Sequence, residues 1–131
     1  MRTAPLLSIP LLLAAGCTGT SDSGAGIAGT SWRFTEIDGA PPLSEAAHLE
    51  FQKKSLGASV GCNSIGGDWR IEDDRLIAGP LAQTEMYCAQ PLWNQEKALN
   101  ALLTSAPVIV VEGDRMTLKS HGRSAELRKG A

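Results

Sequence analysis

VIVVEGDRMTLKSHGRSAELR, residues 108–128, is the stretch that decides the fold. Three short runs, Val108 to Glu112, Arg115 to Lys119 and Ser124 to Arg128, are either rich in β-formers or alternate apolar with polar residues. Gly113-Asp114 and His121-Gly122 part them, and such dipeptides suit tight hairpins. The pattern predicts an antiparallel meander of three strands.

Working toward the N-terminus, Pro107 prevents a helix from running into this meander. Before it, Pro91 to Leu103 breaks the period of two: Pro91 suits a first helical turn, and Leu92, Leu99, Leu102 and Leu103 fall on one side, with Glu96, Lys97 and Asn100 mainly elsewhere. Earlier still, Trp32 to Ile37 alternates and ends at the turn signal Asp38-Gly39, and His48 to Phe51 puts Leu49 and Phe51 on one face. Ala58 to Val60 leads into Cys62, Asp68 to Ile71 follows a glycine pair, and Arg75 to Ile77 follows the acidic turn Glu72-Asp73-Asp74. About eight strands and one helix make the fold class α+β, mainly antiparallel β: a small barrel-like or strongly bent sheet, with the helix covering an open side. No internal repeat supports a solenoid or propeller.

The front of the chain has a different character. Arg2 supplies a positive charge, and Leu6 to Ala15 is apolar apart from Ser8 and Pro10, too short for a permanent membrane helix of roughly 20 residues. It closes on Leu13-Ala14-Ala15-Gly16-Cys17, which resembles the lipobox of bacterial prolipoproteins, with Ala14 where Leu is commonest. The reading is a cleaved signal peptide over 1–16, a lipidated Cys17 opening a Gly/Ser/Thr-rich tether over 17–29, and a folded domain over 30–131. A tether of about a dozen such residues spans roughly 20 Å. Several acyl chains hold far more firmly than one, at about 0.8 kcal/mol per buried methylene. The expected location is the cell envelope, with the membrane as a partner through the anchor. Thr18, rather than Asp, after the cysteine favours the outer membrane, facing the periplasm, if the cell is Gram-negative.

With 131 residues, 43% of them hydrophobic, the chain can build one modest core. Of its 12 basic residues only Arg2 lies in the leader; the remaining 11 face 14 acidic ones, a net charge of −3. No basic stripe exists, so a nucleic-acid partner is not expected. With Cys17 consumed by the anchor, Cys62 and Cys88 remain as a pair in an oxidising compartment and are expected to form a disulfide. The alternative is a reactive thiol or a metal pair, but there is no Cys-x-x-Cys, and His48 and His121 lie far apart in sequence.

Gly29-Thr-Ser-Trp32, then Gly61-Cys62-Asn63 with Gly67 and Trp69 close behind, then Pro80-Leu81, Thr84-x-Met86-x-Cys88 and Glu96, together resemble the META domain, or HslJ-like, family over about Gly29 to Arg128. Tyr87 and Trp69 depart from it, standing where Ala and Tyr are usual. The resemblance implies an antiparallel, barrel-like domain with a helix, compared structurally with lipid-binding pilotin lipoproteins of secretion systems. It implies no catalytic site.

Local chemistry gives the motif residues structural roles. Gly61, Gly66 and Gly67 are expected to permit tight or left-handed backbone near the disulfide, Asn63 to cap a local turn, and Thr84 to bond the backbone near Cys62. Trp32, Trp69 and Met86 are expected in the core. The competing reading makes Asn63, Thr84 and Met86 the border of a binding mouth.

Enzyme chemistry finds little support. Ser64 lacks the glycine context of a nucleophile elbow, no phosphate-cradling loop, zinc helix or dinucleotide fingerprint occurs, and Asp73 and Asp74 sit in a hairpin turn without a buried partner to shift a pKa. The best enzyme candidate, a Cys62 thiolate helped by His48, disappears if Cys62 is oxidised. The chain is therefore expected to be no enzyme, to carry no cofactor or metal, and to be a monomer. Two functions remain: a non-catalytic envelope protein serving envelope maintenance or stress tolerance, and a pilotin-like module binding an acyl chain or an apolar peptide, its partner an envelope protein or a lipid.

Overall fold

The computed structural model describes Thr3, Pro5 and residues 26–130. Apart from Thr3 and Pro5, the expected leader, Cys17 and most of the expected tether lie outside the described residues. The domain comprises β1 (Ser31–Ile37), β2 (His48–Phe51), β3 (Ser55–Ser59), β4 (Ile65–Glu72), β5 (Arg75–Ala78), β6 (Ala82–Gln83), α1 (Leu92–Thr104), β7 (Val108–Glu112), β8 (Arg115–Ser120) and β9 (Arg123–Lys129).

The meander forms as expected. β8 pairs antiparallel with β7, Ile109 opposite Leu118, and with β9, Met116 opposite Leu127. His121 and Gly122 both take positive φ, as do Asp73 and Asp74, which matches the twist that two-residue hairpins demand. The order runs β3-β2-β1-β9-β8-β7-β5-β4, and a further β3–β4 pairing closes it into an eight-stranded antiparallel barrel. The β5–β7 seam is the thinnest, with the single pair Arg75 and Val108. β6 stands outside the ring with β4 as its one neighbour.

Alternation fills the interior with side chains. Trp32, Leu49, Phe51, Ile65, Met116 and Leu127 are all fully buried, and the Trp69 ring meets Phe51 edge-on at 5.0 Å. Among the described residues these side chains, not an open lumen, occupy the barrel interior. Up-and-down connections alternate between two ends. The N-terminal entry to β1 shares one end with the turns at 52–54, 73–74 and 113–114; the other gathers 38–47, 60–64, 79–107 and 121–122. α1 closes this second end, burying Leu99, Leu102 and Leu103. It is tied there by Gln95, whose Oε1 accepts from Leu43 N at 3.0 Å, and by Ser120, whose hydroxyl donates to Ser105 O at 3.2 Å.

Four expectations change. The glycine pair lies within β4, not before it, because β4 starts at Ile65 to reach both β3 and β6. Glu96 is 3% exposed and shares the leucine face. Met86 is 57% exposed rather than in the core, while Trp69 is only partly buried.

Candidate functional site

At the helix-capped end the chain brings together three distant segments, 61–64, 83–88 and the first turns of α1. Cys62 and Cys88 are joined as a disulfide, with their Cα atoms 6.1 Å apart, an ordinary separation for such a bridge. Gly61 is required beside it: its φ is +121°, and a Cβ there would stand 2.7 Å from Ser44 Cβ. Gly67 lets Pro80 O approach to where a Cβ would sit 2.6 Å away. Gly66 has ordinary space, so no crowding explains it.

Asn63 organises the corner, and over long range instead of within a turn. Its Oδ1 accepts from Met86 N at 2.7 Å and from the Thr84 hydroxyl at 3.0 Å. Its Nδ2 donates to Met86 O at 3.1 Å and to Glu96 Oε2 at 3.1 Å, and lies 3.2 Å from Cys88 Sγ. The side-chain amide thus pairs with both backbone polar groups of Met86, as a neighbouring strand would. Thr84 bonds the backbone near Cys62 as expected: its hydroxyl accepts from Ser64 N at 3.0 Å, and its own N–H donates to Ser64 O at 3.1 Å.

Glu96 is the second anchor. Its carboxylate accepts from Asn63 N at 2.9 Å, Asn63 Nδ2, and Gln83 Nε2 at 2.9 Å, and Asn100 Nδ2 donates to Gln83 Oε1 at 2.9 Å. These neutral donors replace water around a buried carboxylate, which would otherwise be costly. Every buried side-chain polar atom among the described residues has a partner.

The Cys62, Cys88 and Glu96 ligand atoms lie within 4.8 Å of one another. With the sulfurs bonded to each other neither is a thiolate, the form that binds metals or attacks carbon. The pairing of Cys62 with His48 fails for the same reason, and the His48 ring lies 2.8 Å from Ala46 O.

Beside the corner lies a groove of about 590 Å³, lined by Asn63, residues 83–87 and Trp93 of α1. All three residues of the expected mouth, Asn63, Thr84 and Met86, line it. Asn63 and Thr84 are spent on internal bonds, so the exposed surface belongs to Met86, Tyr87 (88% exposed) and Trp93 (39%). Lys97 Nζ lies 5.8 Å from the Trp93 ring centroid, within cation–π range. A second concavity of about 500 Å³ at the β5–β7 seam gathers Arg75, Lys119, His121 and Arg123. Two of its cations are engaged, Arg75 with Ala106 O and Arg123 with Asp38.

The sequence assigns no site role to Gln83 or Trp93, and Tyr87 and Glu96 are linked to the site only through the family resemblance. One signal was available: Glu96 continues the Leu92, Leu99, Leu103 stripe at helical spacing, which predicts burial. Tyr87 and Trp93 carry no periodic signal.

The META domain family model matches residues 25–130. The heat shock protein HslJ of Escherichia coli (strain K12) is 25% identical over 85 residues, 63% of this chain and 61% of that protein; the match thus spans under two thirds of the relative's length. Two solved NMR structures share the fold. One has a TM-score of 0.69 at 20% identity, covering 79% of this chain and 91% of its own; the other, from Burkholderia xenovorans, has 0.64 at 22%, covering 80% and 84%.

Proposed function

Because this chain belongs to the META domain family, we propose that it is a non-catalytic, lipid-anchored protein of the bacterial cell envelope that serves envelope maintenance or stress tolerance. The observation that carries this reading is the Cys62–Cys88 bridge. Such bonds persist in oxidising compartments outside the cytoplasm, the destination implied by a leader ending at Cys17. The printed name of the relative, a heat shock protein, supports a stress role. A polar cluster whose members satisfy one another, with its sulfurs oxidised, supports the absence of catalysis.

Intact-mass measurement of the protein extracted from its own membranes tests the anchor. Residues 1–16 should be gone and Cys17 should carry fatty adducts, whereas Cys17→Ser should accumulate as unmodified precursor. A native mass with the leader still attached and no adduct would overturn the placement. A deletion strain tests the role: it should lose viability under heat or detergent, and be restored by the native gene but not by Cys17→Ser.

A second reading is favoured by the exposed Met86, Tyr87 and Trp93 around one groove, since solvent-facing apolar residues grouped at a concavity mark binding surfaces. Here the domain is a module for an apolar peptide or an acyl chain, held beside the helix because the barrel interior is full.

A further inference from the structure

Closing a sheet into a ring removes its edges, and unpaired edges are templates for another strand. This barrel closes with eight strands and leaves β6 over, hydrogen-bonded on one side to Ile65 and Gly66 of β4. Beyond Gln83 the same side remains satisfied: Thr84 N reaches Ser64 O, and the Asn63 amide takes both Met86 N and Met86 O. Backbone groups of successive extended residues point to opposite sides. With Ala82, Thr84 and Met86 facing inward, Gln83 and Glu85 turn their N–H and C=O outward. Glu85 has no backbone partner among the described residues. Residues 82–87 are all exposed, and Glu85 and Trp93 both line the groove.

We propose that the outer edge of residues 83–87 pairs with an extended segment of a partner protein, which adds as a strand and seats its apolar side chains among Met86, Tyr87 and Trp93. The proposal rests on the binding-module reading and names its ligand. Three features favour a single peptide strand. The bonding groups on offer are backbone groups in extended spacing, whose complement is another extended backbone. Asn63, Gln83 and Thr84 in the groove are already bonded internally, which leaves the side chains of Glu85 and Tyr87 as its polar groups for recognising a sugar or a headgroup. α1 contributes Trp93 to the lining, and a slot of about 590 Å³ takes a few residues of chain rather than a second sheet with its flanking elements. The slot lies at the end of the barrel opposite the N-terminal entry to β1.

The test uses the full chain in detergent, challenged with a displayed library of random octapeptides; selected peptides are then synthesised and measured by fluorescence anisotropy. Glu85→Pro removes one of the two outward N–H groups, leaves that of Gln83 in place and breaks no bond made in the structure, whereas Glu85→Ala keeps both N–H groups. The expected result is a set of peptides with alternating apolar residues that bind Glu85→Ala as they bind the native chain. The same peptides should bind Glu85→Pro at least ten-fold more weakly, and should lose affinity when N-methylated at alternate positions. That last measurement also decides the matter if Glu85→Pro fails to fold. Binders that tolerate both N-methylation and Glu85→Pro, yet are lost on Trp93→Ala, would overturn strand addition and leave the binding module standing. A library yielding no binder sensitive to Trp93→Ala or Glu85→Pro would sink both. A dimer of the chain dissolved by Glu85→Pro and not by Glu85→Ala would give the edge to a second copy and overturn the partner peptide.

Discussion

The β7–β9 wall and the cystine corner are held together by different physics. In the wall, strands adjacent in sequence pair in long ladders, and each buried side chain follows from the period of two. In the corner, Asn63 bonds Met86, 23 residues away, and Glu96, 33 away, by side-chain amide and carboxylate contacts, beside a covalent bridge of separation 26. Where the ladder stops, here, specific polar side chains substitute for it.

The first way to break this contrast is through the core that the wall shares. Trp32 is 1% exposed, and its Nε1 donates to the Thr30 hydroxyl at 2.8 Å. Trp32→Ala should lower unfolding free energy by about 4 kcal/mol, from lost transfer and the cavity left behind. Denaturant titration checks it, and a loss under about 1 kcal/mol would mean that the barrel interior does not hold the fold.

Removing the bridge with Cys62→Ser and Cys88→Ser together should cost about 3.5 kcal/mol in the chain-entropy model for this loop length. That loss arises mainly in the unfolded chain, so the groove should keep its shape under native conditions. Equal melting temperatures of the oxidised and bridge-free forms would show that the corner needs no covalent support.

Asn63→Ala should cost about 2 kcal/mol by leaving Met86 N–H and part of the Glu96 carboxylate without partners. Made in the bridge-free background, its effect should depart from additivity, since the two restraints act on the same contact. Strict additivity would separate the polar cluster from the cystine and dissolve the idea of one corner.

The same contrast explains what could be read in advance. Val108 to Arg128, Trp32 to Ile37 and the Leu99, Leu102 and Leu103 stripe were legible because periodicity is a local property, and hairpin dipeptides punctuate it. The cystine followed from counting thiols. Glu96 was misplaced on the polar side because a carboxylate on an apolar stripe is expected to avoid burial, and its partners Asn63 and Gln83 sit on other elements. Met86 was assigned to the core by residue type, while its exposure is set by Asn63 gripping its backbone and leaving the side chain outside. β6 has two residues and no alternation, so nothing local announced a strand beyond the ring.

The smallest expected effect lies on the wall's outer face, where a charge pair adds to the ladder what the corner's network adds to an absent one. Arg115 bonds Glu126 across β8 and β9, with the side chains 47% and 35% exposed. The Arg115 hydrogen bond holds the Glu126 carboxyl below its ordinary value, against a partial loss of hydration; Arg115 charge, Glu36 and Lys119 add to the lowering. A folded pKa below the unfolded one means that the pair's contribution is fully present above the unfolded pKa of about 4.5 and fades as pH falls through the lower folded value. Arg115→Met should therefore be less stable than the native chain at pH 7, and the gap should shrink by pH 3. Because exposed charges are screened, raising salt at pH 7 should shrink it too. A gap that stays constant from pH 7 to pH 3 would assign the Arg115 contribution to packing of its stem on the sheet, and the wall would then need no electrostatic support at all.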